Sequence, residues 1–143
     1  MGKESEKLAK FEGSWKQIES HGLDEFLSAS GIGWMKRKMA TKCNPVDQIQ
    51  ISGEKLTISY TAVGVISGSN TYNIGGSAKI KNYLDEEVDA ECVLEDDDKI
   101  VLIMRGGSLG EVRITRVIKD GKLHVEQKIM EKNVVASRVF GRS

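Results

Sequence analysis

The sequence predicts an all-β fold, an antiparallel up-and-down barrel or clam shell of about ten strands capped by two short helices, on three observations. From Val46 onward the chain breaks into short segments rich in Val, Ile, Thr and Tyr, divided by turn signals such as Ser52-Gly53-Glu54, Gly75-Gly76, Asp96-Asp97-Asp98, Gly106-Gly107 and Asp120-Gly121. Ahead of them, one aromatic and polar stretch is followed by segments of a different period. So many strands in 143 residues must close on themselves or leave long unpaired edges that invite aggregation. Eight closed strands already leave room for side chains or one small ligand, so ten imply an internal cavity.

Phe11 to Glu19 (FEGSWKQIE) reads as the first strand. Asp24 to Ser30 (DEFLSAS) and Gly33 to Lys42 (GWMKRKMATK) carry no turn clusters and are separated by Gly31 and Gly33, which predicts a helical hairpin that Pro45 ends. Strands are then expected near 46–51, 55–61, 63–67, 70–74, 77–83, 87–94, 99–105, 110–119, 122–130 and 133–140, with 110–119 and 122–130 as a hairpin. Residues 1–10 read as a polar leader and 11–143 as one barrel domain.

The charge balance is neutral, 21 Lys+Arg against 21 Asp+Glu, which supplies no electrostatic footprint for a phosphate backbone and argues against nucleic acid as a partner. No apolar run approaches the roughly 20 residues of a membrane span, and Met1 to Lys10 lacks the apolar stretch of a secretory signal, so a cytoplasmic protein is expected. A myristoylation reading of Met1-Gly2 fails because position 6 is Glu6. Cys43 and Cys92 are isolated and read as small packing residues, and His21 and His124 have no metal-ligand spacing.

Side chains alternate between the two faces of a strand, and the last strands are the most informative. Val112, Ile114, Arg116 and Ile118 share one face, as do Val134, Ala136, Arg138 and Phe140, so each of two apolar rows contains one arginine. Between them, Leu123, Val125, Gln127 and Ile129 form a row with one amide. A guanidinium keeps its charge at ordinary pH, so inside a barrel it requires an anion, acceptor groups or water. An apolar cavity with two such forks suits a long hydrocarbon body with a carboxylate head, the shape of a fatty acid. A bulge that slipped the alternation would instead turn both arginines to water.

The second predicted helix presents Lys36, Arg37, Lys38 and Lys42 beside Trp34, Met35 and Met39, a basic amphipathic element suited either to an anionic membrane or to a solvated lid. Gly106-Gly107-Ser108-Leu109-Gly110 fits G-x-S-x-G, with Asp120 and His124 following in the order of a hydrolase triad. That motif must pass from strand into helix, whereas Glu111 to Ile118 continues as a strand, so the glycines read as a hairpin turn and no catalytic residue is expected.

The chain after residue 10 resembles the intracellular lipid-binding protein family, which includes cytosolic fatty acid-binding and retinoid-binding proteins. The resemblance rests on Phe11-Glu12-Gly13-Ser14-Trp15-Lys16, on Leu23-Asp24-Glu25-Phe26-Leu27, and on Gly31-Ile32-Gly33-Trp34-Met35-Lys36-Arg37-Lys38-Met39-Ala40 through Pro45. Near the C-terminus it rests on Arg116 with Asp120-Gly121-Lys122-Leu123 and on Ser137-Arg138-Val139-Phe140. It implies a ten-stranded antiparallel barrel under a helix-turn-helix lid, which admits one or two lipids through a portal below the second helix. Arg138 matches the family's carboxylate-binding arginine and Arg116 its partner. Leu23, Leu27, Ile32 and Pro45 match helix and portal positions that contact the tail, and Val125 and Gln127 match cavity-lining positions. Two departures stand out: the family's Arg-x-Tyr is here Arg138-Val139-Phe140, and Thr61 to Gly76 lacks the expected phenylalanine- and charge-containing pattern.

The expected function is non-enzymatic carriage of a long-chain fatty acid or similar hydrophobic carboxylate, with delivery to membranes or other proteins. Arg138 and Arg116 would hold the head group, Phe140 would line the cavity, and Lys36, Arg37 and Lys38 would touch anionic membranes transiently. A monomer without metal or other cofactor is expected. A retinoid-type carrier and a peripheral membrane adaptor are the alternatives.

Overall fold

The computed structural model describes residues 7–42, 44–62, 66–96 and 98–143. Its strands are β1 (Gly13–His21), β2 (Val46–Ser52), β3 (Lys55–Ala62), β4 (Ile66–Asn73), β5 (Ser77–Lys81), β6 (Glu87–Glu95), β7 (Lys99–Arg105), β8 (Val112–Lys119), β9 (Lys122–Ile129) and β10 (Val134–Arg142). Two helices, α1 (Leu23–Ala29) and α2 (Trp34–Lys42), lie between β1 and β2. The strands form one antiparallel meander in the order β4-β3-β2-β1-β10-β9-β8-β7-β6-β5, in which β1 pairs with β10. The sheet is thereby a nearly closed barrel whose seam lies between β4 and β5. Asn70 Nδ2 crosses that seam to the Lys81 carbonyl at 3.0 Å, and Ile74 bridges to Cys92 of β6.

The turns follow from residue chemistry. At the β8–β9 hairpin Lys119 faces Lys122 across a two-residue loop, and Asp120 (φ 54°) and Gly121 (φ 75°) both take the left-handed backbone of a type I′ turn. Gly106 to Gly110 joins β7 to β8 as a hairpin connection, as the sequence predicts. The two strands expected near 63–67 and 70–74 are instead one strand, β4, as far as it is described. Its polar Ser-Gly-Ser-Asn run does not break it because cross-strand hydroxyl pairs, Ser59 with Ser69 and Thr57 with Thr71, both at 2.9 Å, tie it to β3. Residues 63–65 and Cys43 lie outside the described residues.

Inward rows build the core at period two. Trp15, Ile49, Leu56, Ile58, Ile100, Leu102, Leu123, Val125, Ile129 and Phe140 are all buried, and the thiol of Cys92 packs among them. A 3-10 turn at Ala9–Phe11 closes the end opposite the helices. Leu8 and Phe11 are fully buried there, although Leu8 falls in the polar leader, and the Trp15 indole donates to the Phe11 carbonyl at 2.9 Å. At the other end α1 is pinned by buried Phe26, whose ring tilts against Tyr83 at 6.2 Å between centroids. Ser30 Oγ, just past α1, hydrogen-bonds the Tyr83 hydroxyl, and Lys132 Nζ donates to the Ala29 carbonyl at 2.7 Å.

Candidate functional site

Register decides whether the two arginines point inward. The pairing of β8 with β9 runs unbroken from Val112↔Ile129 to Lys119↔Lys122, and that of β9 with β10 from Val134↔Ile129 to Phe140↔Leu123. No bulge interrupts either ladder; the one irregularity nearby sits in β1, between Gln17 and Glu19. Arg116, Val125 and Arg138 are consecutive cross-strand partners, so they form one transverse row on the inner face. The two arginine backbones are two strand spacings apart, roughly 10 Å.

Arg116 is 5% exposed. Arg138 keeps partial accessible surface as a residue, while its Nε is buried. Burial pushes the Arg138 pKa below the usual arginine range, Asp47 pulls it up, and the like charge of Arg116 lowers it. Arg116 Nε and Nη1 and Arg138 Nε find no acceptor among the described residues. Buried guanidinium nitrogens without acceptors are costly, and an incoming anion would relieve them. The Arg138 Cζ lies 5.2 Å from the centroid of the Phe140 ring, so where the family's tyrosine would offer a hydroxyl this chain offers a cation–π face.

Four polar residues in this region, Gln17, Asp47, Tyr60 and Tyr72, escaped the sequence analysis. Asp47 of β2 is 3% exposed, and its Oδ2 lies 4.0 Å from Arg116 Nη2. Gln17 of β1 and the expected Gln127 are 5% and 8% exposed, and the side-chain oxygen of each finds no donor among the described residues. Tyr72 borders the same region: burial raises its pKa and the Arg116 charge opposes that rise. Tyr60, the Cα partner of Asp47, is raised by burial and then by the Asp47 carboxylate. The missed signal was the alternation already applied to β8, because Asp47 heads the row Asp47, Ile49, Ile51 and Gln17 follows Trp15 at the same spacing.

Of the other candidates, Val125 and Phe140 are buried in the inner wall, and Leu23, Leu27, Ile32 and Pro45 are half-buried at the lid end. Pro45 also accepts the Gln17 N–H at 3.0 Å. Lys36 and Lys38 are exposed beside Trp34 and Met35, which are 62% and 64% exposed. Arg37 is drawn into the lid instead, donating to Asp24 at 3.1 Å and to the Ile32 carbonyl at 2.6 Å.

The G-x-S-x-G stretch assembles no triad. Ser108 lies before β8, whereas Asp120 sits in the turn beyond its eight residues, roughly 25 Å along the strand, and His124 pairs with Val117 toward that same far end. Ser108 Oγ instead donates to Glu86 at 3.1 Å, and hydrogen bonds from Asn82 and Ser108 hold that carboxyl below its usual range. Among the described residues no group of three or more His, Cys, Asp or Glu could hold a metal ion. No helix among them is long and apolar enough to cross a membrane.

No family model matches the chain. Fatty acid-binding protein 5 of Mus musculus is 29% identical over 133 residues, covering 93% of this chain and 95% of that protein. Sodium/calcium exchanger regulatory protein 1 of Doryteuthis pealeii is 26% identical over 130 residues, covering 91% and 94%. Among solved structures, the fatty acid binding protein of Schistosoma mansoni in complex with arachidonic acid superposes with a TM-score of 0.85 at 20% identity, covering 96% of this chain and 98% of that one. It is a likeness of fold.

Proposed function

We propose that this chain is a member of the intracellular lipid-binding protein family and a non-enzymatic carrier of long-chain fatty acids or closely related anionic lipids inside the cell. The carrying observation is the inner-wall row Arg116-Val125-Arg138, in which Arg116 Nε and Nη1 and Arg138 Nε find no acceptor among the described residues. Fatty acid binding by the relatives supports the same reading.

In this reading the barrel is a container whose selectivity lies in one polar region. Burial of the acyl chain at about 0.8 kcal/mol per methylene drives uptake, and charge-assisted hydrogen bonds to Arg138 and Arg116 orient the head. Val125 and Phe140 give the surrounding wall, and Leu23, Leu27, Ile32 and Pro45 the path of the tail below the lid. Exposed Trp34 and Met35 with Lys36 and Lys38 are suited to transient contact with an anionic membrane, the delivery step. The protein works as a cytoplasmic monomer.

Native mass spectrometry of purified protein, with extraction of what it carries, is the first test, and a retained fatty acid is expected. Arg138→Ala should then weaken fatty-acid binding by about tenfold or more, while an uncharged lipid of equal length loses less. Equal losses for the two ligands would remove the head-group role of Arg138.

A further inference from the structure

The polar region holds more than an anion site. Besides the two guanidinium groups of Arg116 and Arg138 it contains the carboxyl group of Asp47. Asp47 lies on the opposite wall from Arg116, four strands away in the order β2-β1-β10-β9-β8, so the pair reaches across the barrel interior. At 4.0 Å the Arg116–Asp47 pair is an ion pair beyond hydrogen-bond distance. A buried carboxylate is ordinarily satisfied by two or more donors.

The unmet groups thus fall into two chemical kinds. Arg116 Nε and Nη1 and Arg138 Nε require acceptors, while Gln17 Oε1 and Gln127 Oε1 require donors, and the Asp47 carboxylate stands 4.0 Å from Arg116 with no hydrogen bond between them. An ionised fatty acid supplies acceptors only: it satisfies the arginines, leaves the two glutamine oxygens unmet and is repelled by Asp47. A head group that adds a hydroxyl or N–H close to its carboxylate satisfies both sets. Resting on the carrier reading, we infer that Asp47 is a specificity-determining residue. It takes a hydrogen-bond donor on the ligand head while Arg138 takes the anion, and the preferred cargo is a long-chain acid bearing a hydroxyl or amide N–H beside its carboxylate.

The test compares hexadecanoate with 2-hydroxyhexadecanoate, in both enantiomers, and with N-hexadecanoylglycine, by calorimetric titration of delipidated protein. Wild type should bind at least one of the donor-bearing acids about tenfold more tightly than hexadecanoate. Asp47→Leu should bring the ratio close to one, chiefly by tightening hexadecanoate. Because that variant leaves two buried arginines without a counter-charge, Asp47→Leu combined with Arg116→Leu removes the pair together and guards against misfolding. It should bind both kinds of acid through Arg138 without preference. If hexadecanoate binds wild type and the ratio is near one, or is the same in every variant, Asp47 is only a counter-ion and the inference is overturned while the carrier reading stands. If no acid of either kind binds wild type, the carrier reading falls and takes the inference with it.

Discussion

Arg116 and Arg138 lie on one row of the wall, yet their surroundings differ. Arg116 has the Asp47 carboxylate across the interior at 4.0 Å, whereas Arg138 has the Phe140 ring at 5.2 Å, and both carry guanidinium nitrogens without an acceptor among the described residues. The tyrosines nearby give this region an alkaline limit. Burial raises the pKa of Tyr72 above its unfolded value of about 10, as it does those of Tyr60 and Tyr83. Below that value both states keep the proton and the contribution to stability is complete. As pH rises beyond it the unfolded chain ionises first, and stability is lost progressively through the folded pKa. Urea titrations should show unfolding free energy falling between pH 9 and 11. Tyr72→Phe should flatten part of that decline, and an unchanged slope would mean that Tyr72 does not hold its proton in the fold.

The two helices of the lid are built differently. α1 is anchored by Phe26, by the Ser30–Tyr83 hydrogen bond and by Lys132, so it belongs to the rigid body of the barrel. α2 turns Trp34, Met35 and Met39 to solvent, and Arg37 links it back to Asp24 and Ile32. If α2 is the element that meets membranes, Lys36→Glu with Lys38→Glu should slow transfer of a fluorescent fatty acid to anionic vesicles several-fold and weaken its salt dependence. Unchanged transfer would assign delivery to another surface. The basic cluster was legible in the sequence, but the withdrawal of Arg37 was not, because its bonds to Asp24 and Ile32 depend on how α2 folds back on α1.

At the scale of the molecule, one continuous meander closes through β1 and β10, so what binds inside it stabilises the whole barrel by mass action. A fatty acid at one hundred times its Kd should contribute about 2.7 kcal/mol, a rise in Tm of roughly 5–10 °C for a domain of this size. Binding without such a rise would place the lipid on the surface. The sequence by itself determined the strand count within one element, the helical hairpin, the Asp120-Gly121 turn and the inward arginines, because alternation and turn chemistry are local and β8 to β10 carry no bulge. It did not determine that the Ser-Gly-Ser-Asn run continues β4, which depends on hydroxyl partners in β3. Nor did it determine that Asp47 reaches Arg116, since an ion pair across a barrel joins strands 69 residues apart whose meeting depends on how the sheet closes.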